Sequence, residues 1–317
     1  MKLEQLRLVV EIARQDYNVS RAAAAMDAPQ PAVSRQLKAL ERELGVDIFV
    51  RAGNRLRGLT TPGREIMEAA RCMLSDAERI ANVARDFSDA DEGRLTIATT
   101  HTQARYALPS VVRAFTRSYP AVELMIRQGS PGDIVDLVRK GHADVCIGSE
   151  SAEGGDLLLL PCYAMHRIVI TPIDHPLLRV RRLTLEALAT YPIITYEAPA
   201  LGRSRVVRSF KAQGLTPKVV LSAIDTDVIK AYVEQGLGVA IIAKLAFDAT
   251  RDLRLRAIDA SRLFEPNMIY LGVRRNDYLR GYVLDFIELF APKLTRDRVI
   301  TRLRAARSGG ALPAQRT

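Results

Sequence analysis

Residues 19–45 read VSRAAAAMDAPQPAVSRQLKALERELG, and this stretch decides the fold of the N-terminal part of the chain. Its alanine-rich beginning predicts a short helix for which Ser20 would be the N-cap. Residues 27–29 break that helix, and Pro31 favours the first turn of a second helix that Gly45 ends. Alanines at 22–25 let the two helices cross closely over a three-residue turn. The stretch therefore predicts a helix-turn-helix whose recognition helix is Gln30–Leu44.

The exposed face of the predicted recognition helix carries side chains that suit nucleic acid. Gln and Arg read base edges through paired hydrogen bonds, and Ser and Lys hold phosphates. An exposed polar helix face can also be merely solvated, but the tight turn and the small packing residues favour DNA. Residues 48–56 then predict a β-hairpin wing with basic residues at its tip. The predicted contacts to double-stranded DNA are Gln30, Pro31, Ser34, Arg35, Lys38, Arg51 and Arg55.

A long third helix follows, which Thr61 would cap and Pro62 would open. Its apolar residues alternate steps of four and three, a heptad seam typical of a coiled-coil dimer. Packing of the same stripe on its own domain is the alternative. Two-fold symmetry also suits a helix-turn-helix protein that reads paired half-sites. The seam positions are Ile66, Ala70, Met73, Ala77, Ile80, Ala84 and Phe87.

From residue 94 the pattern changes to short apolar strands that alternate with helical stretches, which predicts an α/β fold with parallel sheets. Two such units, joined by crossovers at residues 162–163 and near Pro266, would form two lobes around a hinged cleft, as in periplasmic binding proteins. The predicted domains are a mostly α winged helix-turn-helix (1–60), a linker helix (61–88), an effector-binding domain (94–306) and a basic tail (307–317). Within the effector-binding domain, lobe I takes 94–162 and 267–306, and lobe II takes 163–266.

Composition narrows the class of protein. The 48% hydrophobic content suits a globular core. Apolar runs are too short for a membrane helix, and the N-terminus lacks a secretory pattern. Three scattered cysteines form neither a disulfide framework nor a zinc site, so we expect a cytoplasmic protein without metal or cofactor. Much of the net charge of +10 comes from the last 25 residues, where seven Lys/Arg accompany one Asp/Glu. That block is typical of a solvated tail and is weak evidence for DNA binding.

Residues 99–103, TTHTQ, lie where the first strand of the predicted α/β domain ends and a helix begins. Hydroxyls, an amide and free backbone N–H groups at that position make an anion site without a cationic side chain. Simple N-capping would account for one threonine but not for the whole group. Ser149, after the strand at 145–147, would face the same cleft. Catalysis is not indicated, because the four histidines are dispersed and no nucleophile elbow or metal-ligand spacing occurs.

The motifs QPAVSRQ at 30–36, LE-x-ELG at 40–45 and F-x-R at 49–51 resemble those of the LysR-type transcriptional regulators. The resemblance covers essentially the whole chain. Residues 99–109, 128–131, 160–163 and 225–230 are similar to the cysteine-regulon, or CysB-like, branch. That likeness implies a homotetramer built as a dimer of dimers, inducers related to O- or N-acetylserine, and inhibition by reduced or inorganic sulfur species. It adds RNA polymerase as a further candidate partner.

The resemblance also implies that Thr100, Thr102, Gln103 and Ser149 line the inducer cleft. Three positions depart from the pattern of the branch. Pro29 stands where family members usually have Ser or Thr before Gln-Pro. Leu201 and Met165 stand where the branch has a ligand-contacting Thr and a Trp. We therefore expect Met165 and Leu201 to face the cleft and to change the preference for inducer.

The leading prediction is a DNA-binding regulator, not an enzyme, that controls genes of sulfur assimilation and cysteine biosynthesis. It would sense an acetylserine-like inducer or a sulfur oxyanion bound between the lobes. The alternative within the family is a regulator of sulfonate or sulfate utilisation with a different inducer. A binding receptor without a DNA role is the remote alternative, which residues 1–88 disfavour.

Overall fold

The computed structural model describes residues 1–53, 55–88, 92–149, 156–196 and 205–307. The chain divides into two compact units, Met1–Ala90 and Asp91–Thr317, and each is described by itself. Within those described ranges, no helix combines the length and the apolar character needed to span a membrane.

The N-terminal unit is a helix-turn-helix followed by a hairpin and a long helix. Its elements are α1 (Leu3–Arg14), α2 (Val19–Ala25), α3 (Gln30–Leu44), β1 (Phe49–Ala52), β2 (Arg55–Leu59) and α4 (Thr61–Ser88). The N-cap of α2 is Asn18, whose Oδ1 accepts a hydrogen bond from Arg21 N at 3.0 Å. The predicted cap, Ser20, is wrong because it lies two residues further on, inside the first turn. Asparagine and serine cap equally well, so composition alone does not separate the two positions.

The recognition helix α3 has the predicted bounds because both of its ends are marked in the sequence. Pro31 lies in its first turn, and Gly45 ends it in the left-handed region with φ +72°. Val33, Leu37 and Leu40 are buried in a core that α3 shares with α1 and α2. Burial of this stripe leaves the opposite face of the helix exposed.

The helix α4 begins against the hairpin. Thr60, and not the predicted Thr61, caps it, because Thr60 Oγ1 accepts a hydrogen bond from Gly63 N at 2.9 Å. Gly63 is required by close packing, since a Cβ there would lie 2.0 Å from the carbonyl oxygen of Ile48.

The heptad stripe of α4 divides into two parts. Ile66 packs against the core of the N-terminal unit and Ala70 is buried, so the first part is covered within the unit. Met73 and Ile80 are 44% and 71% exposed. The side chain of Phe87 lies outside what the structure describes. The second part is therefore an exposed apolar stripe within this unit, and the coiled-coil dimer stays a prediction.

The first of the two sheets in the C-terminal unit has the strand order β4-β3-β5-β12-β6. Its strands are β3 (Gly93–Thr99), β4 (Val122–Gln128), β5 (Val145–Ser149), β6 (Leu157–Met165) and β12 (Asn267–Arg274). β3 is parallel to β4 and β5, whereas β12 is antiparallel to β5 and β6. The predicted parallel sheet is thus wrong in part, because β12 enters the sheet in the opposite direction.

The second sheet has the order β11-β7-β10-β8-β9. Its strands are β7 (Arg167–Pro172), β8 (Ile193–Tyr196), β9 (Val219–Ala223), β10 (Val239–Ala243) and β11 (Leu255–Asp259). β8 is parallel to β9 and β10, and β7 is antiparallel to β10 and β11. The chain passes from the first sheet to the second at His166, later than the predicted 162–163, because β6 stays paired with β12 as far as Met165.

Helices cover both sheets and complete the two lobes. Lobe I is the first sheet with α5 (Leu108–Ser118), α6 (Pro131–Arg139), α10 (Gly281–Phe290) and α11 (Arg296–Arg307), and lobe II is the second sheet with α7 (Leu185–Ala189), α8 (Arg205–Ala212) and α9 (Thr226–Glu234). The helix α11 lies in the basic block that was expected to be solvated. Val299 and Leu303 of α11 are buried in the core of lobe I, so this part of the expectation is wrong. Residues 308–317 lie outside the described part of the chain.

Candidate functional site

The exposed face of α3 holds the predicted DNA-reading side chains. Gln30, Arg35 and Lys38 are exposed, and Ser34 is half-buried beside them. Among the described residues, none of the first three makes a hydrogen bond or an ion pair with another side chain. Pro31 is exposed at the start of the helix. The face is therefore available to a nucleic acid groove.

The hairpin is anchored to α3 by a buried carboxylate. Glu41 is 6% exposed, and its Oε1 accepts hydrogen bonds from the backbone N–H groups of Ile48 (3.0 Å) and Phe49 (3.4 Å). Its Oε2 pairs with Arg51 Nη2 at 2.6 Å. Arg51 thus has a structural partner within the unit, while its side chain stays 38% exposed. Arg55 is exposed on the opposite strand.

The polar segment after β3 leads into a wide helical turn. Thr99 is buried and its Oγ1 donates to the carbonyl oxygen of Ile147 at 2.8 Å, so this hydroxyl is used inside lobe I. Thr100 accepts a backbone hydrogen bond from Ala104 at 3.0 Å, and residues 103–107 then form a π-helical turn before α5. Such wide turns occur at functional sites, because they turn side chains away from the regular helical spacing.

Gln103 is the centre of a buried polar contact between β6 and the segment after β3. The side chain is 1% exposed, and its Oε1 accepts a hydrogen bond from Tyr163 OH at 2.6 Å. Its Nε2 donates to Met165 Sδ at 3.7 Å, a weak interaction. Burial raises the pKa of Tyr163 to about 12, so the phenol is a neutral donor. Tyr163 therefore orients the amide and leaves its N–H groups facing a poor acceptor.

A chain of hydroxyls links the two lobes. Thr102 Oγ1 of lobe I lies 3.4 Å from Thr226 Oγ1 at the start of α9, and Tyr196 OH lies 2.7 Å from the same Thr226 oxygen. Thr226 is fully buried. Tyr196 is the last residue of β8, so the group forms at the carboxyl end of a parallel strand, where ligands bind in open α/β sheets.

A second set of contacts across the cleft involves carboxylates. His101 Nε2 lies 2.9 Å from Asp225 Oδ1, close in distance but not aligned as a hydrogen bond. Asp227 accepts from Arg105 Nε at 3.2 Å and from Tyr106 OH. His101, Asp225 and Asp227 each place one atom that could ligate a metal ion within 4.8 Å of the others. Because Asp227 is already bonded by Arg105 and Tyr106, these groups serve as contacts between the lobes.

Thr100 and Ser149 lie on neighbouring parts of lobe I. A Cβ added at Gly148 would lie 3.8 Å from Thr100 Cγ2, and Ser149 is the next residue, half-buried at the end of β5. Within the described part of the chain, neither side chain hydrogen-bonds to the hydroxyls at Thr226. Leu201 lies outside the described residues.

Sequence reasoning did not assign Tyr163, Tyr196, Thr226 and Asp225 to the site. A usable signal was present for the last three. Tyr196 ends the strand pattern at 193–196, and Asp225 and Thr226 lie at the start of the helix that follows the strand pattern at 219–222. Tyr163 gave no local signal, since its partner Gln103 is distant in sequence.

A winged helix-turn-helix unit and a two-lobed α/β unit with a polar cleft define a DNA-binding regulator that responds to a small molecule. Residues 3–64 match the family described as bacterial regulatory helix-turn-helix protein, lysR family. Residues 88–295 match the LysR substrate binding domain. The chain belongs to the LysR family of transcription regulators, and the expectation that it is not an enzyme is confirmed.

Named relatives confirm the expected branch of the family. The chain is 47% identical to the HTH-type transcriptional regulator SsuR of Burkholderia cenocepacia over 96% of this chain and 100% of that protein. It is 44% identical to the regulator CysB of the same organism over 93% of this chain and 95% of that protein. The crystal structure of the cofactor-binding domain of the Cbl transcriptional regulator is 40% identical, with a TM-score of 0.63 over 67% of this chain and 93% of that domain.

Proposed function

We propose that this regulator couples the binding of a small sulfur-related anion between lobes I and II to DNA binding at genes of sulfur assimilation. The observation that carries the proposal is the set of hydroxyls shared by the lobes, in which buried Thr226 of lobe II contacts both Thr102 of lobe I and Tyr196. The buried amide of Gln103 follows Thr102 in the chain. A ligand that bonds to both lobes favours one relative position of them, which is the differential affinity that a switch requires.

The amide of Gln103 can exchange its contact with Met165 for a hydrogen bond to a ligand. Its carbonyl oxygen is held by Tyr163, whereas its N–H groups face the sulfur of Met165. An anionic oxygen is a much better acceptor than a thioether sulfur, so a ligand would replace the weaker bond and leave the stronger one intact. Thr100, Ser149 and Leu201 complete the proposed site.

Met165 gives the proposed site an apolar wall, which favours a ligand with an organic arm. An acetylserine carries such an arm, and so does an alkanesulfonate, which supports sulfonate utilisation as the second candidate function. Bare sulfate has no group to place there, and its desolvation must be offset by hydrogen bonds alone.

The proposed DNA complex uses α3 and the hairpin, with Gln30, Arg35 and Lys38 towards the groove. The exposed seam around Met73 and Ile80 supports dimerisation through α4, and the dimer of dimers is proposed from the branch. RNA polymerase as a partner and a cytoplasmic location stay predictions.

Calorimetric titration of the full chain with O-acetylserine, N-acetylserine, methanesulfonate and sulfate tests this function. Thr100→Val deletes a hydroxyl and keeps the shape, so it should cost about 1–2 kcal/mol of ligand affinity. Thr116→Val is the matched control, because the Thr116 hydroxyl is exposed and bonds to the backbone of its own helix. Binding of a ligand should also change the footprint on promoter DNA of sulfur-assimilation genes. Failure of all four compounds to bind would refute the proposal.

A further inference from the structure

Lobe II contains a buried cation to which the described residues supply no counter-charge. Arg167, the first residue of β7, is 9% exposed, and its Nε has no hydrogen-bond partner. In the described part of the chain, no carboxylate forms an ion pair with it. Lys230 of the same lobe is equally buried, but its Nζ lies 2.8 Å from Asp252 and 5.1 Å from the centre of the Tyr106 ring. Among the described residues, the lobe therefore neutralises the Lys230 cation with Asp252 and offers no such partner to Arg167.

An unpaired buried charge is unfavourable, because the group loses its hydration without gaining a counter-charge. Burial lowers the pKa of Arg167 for this reason, yet a guanidinium remains protonated in proteins. The Nε–H donor of this cation thus stays buried without an acceptor among the residues that the structure describes. A binding site can retain such a group when the missing counter-charge arrives with the ligand.

Arg167 lies at the end of the second sheet that is nearest to the hydroxyls of Tyr196 and Thr226. Arg167 pairs with Ala243, the last residue of β10. β10 is parallel to β8, which ends at Tyr196, and Tyr196 bonds to Thr226 at 2.7 Å. Arg167 therefore lies at the carboxyl ends of β8 and β10, where an α/β sheet binds ligands.

We infer that Arg167 is the cationic anchor of the effector site, and that the effector carries a carboxylate, sulfonate or sulfate group that pairs with it. The inference rests on the proposed function of the cleft. The sequence of residues 99–103 alone predicts an anion site that has no cationic side chain. The inference adds a cation, Arg167, to that site. A guanidinium can hold such a planar or tetrahedral anion through two parallel hydrogen bonds.

Calorimetry of the full chain with O-acetylserine, methanesulfonate and sulfate tests the anchor in three variants. Arg167→Gln should weaken binding of each anion by about ten- to a hundred-fold, as expected for a lost charge-assisted pair. Arg167→Lys keeps the charge without the two-pronged geometry and should fall between that variant and the wild type. Arg182→Gln, an exposed arginine of lobe II, is the control and should bind like the wild type.

The melting temperature of the ligand-free chain separates an anchor from a structural arginine. An anchor is unpaired without ligand, so Arg167→Gln should melt at the same or a higher temperature than the wild type. A lower melting temperature for both Arg167 variants, or unchanged anion affinities in Arg167→Gln, would overturn the inference and leave the proposed cleft standing. A wild-type chain that binds neither these three anions nor N-acetylserine would overturn the proposed function, and the anchor with it.

Discussion

Glu41 should control the position of the hairpin on the helix-turn-helix. Substitution by alanine removes the acceptor of the 3.0 Å hydrogen bond from the Ile48 N–H and of the longer, 3.4 Å bond from the Phe49 N–H. Both residues are buried. Each unsatisfied buried donor costs about 1–3 kcal/mol. The Arg51 pair adds little, because the arginine is 38% exposed and solvent screens it. We expect Glu41→Ala to destabilise the hairpin by about 3 kcal/mol and Glu41→Gln, which keeps an acceptor, by about 1 kcal/mol.

Hydrogen exchange in the full chain measures this effect where it occurs. A loss of about 3 kcal/mol corresponds to about 100-fold faster exchange of the amides of residues 48 and 49. Glu65→Ala, a change of an exposed glutamate on α4, serves as the control. If exchange of these two amides in Glu41→Ala matched that of the control, Glu41 would not hold the hairpin.

Three further outcomes are expected. Arg35→Ala should cost about 1–3 kcal/mol of DNA affinity and relax base preference, whereas Lys38→Ala should weaken all sequences alike and reduce the salt slope by about one; footprinting and salt titrations separate the two. Met73→Asp places a charge in the exposed seam of α4, and sedimentation velocity should detect loss of the dimer, while an unchanged dimer would move the interface elsewhere. Exposed Cys72 should be alkylated readily, but Cys162, whose pKa burial raises to about 12, should react only as the pH rises far above neutral; equal rates in mass spectra at pH 8 would contradict its burial.

Local sequence patterns predicted the elements whose ends are marked by Pro or Gly. They failed for elements whose conformation depends on partners distant in the sequence. The bounds of α3 follow from Pro31 in its first turn and from Gly45 at its C-terminal end, each of which affects only the adjacent helical turn. Strand β6 was not predicted, because Pro161 lacks the N–H that a ladder uses. In the fold, Pro161 is opposite Tyr270 at an irregularity of the pairing, where that loss is tolerated.

The candidate site divides in the same way. The threonines at 100 and 102 are conspicuous as neighbours in one polar segment. The bond from Tyr163 to Gln103 spans 60 residues, and the burial of Arg167 depends on the assembled second sheet, so neither can be read from adjacent residues. Long-range packing sets both the partner and the dielectric environment of a side chain.

The place of β12 between β5 and β6 has a consequence for synthesis on the ribosome. All strands of lobe II lie between residues 167 and 259, so they emerge before residues 267–274 of β12. Domains fold as their segments emerge, and we expect the strands of lobe II to pair while lobe I still lacks its last strand, β12. Until then β5 presents an unpaired edge and β6 has no partner strand. A translation stop just before residue 267 should therefore yield a folded lobe II joined to an incomplete lobe I that aggregates through those edges.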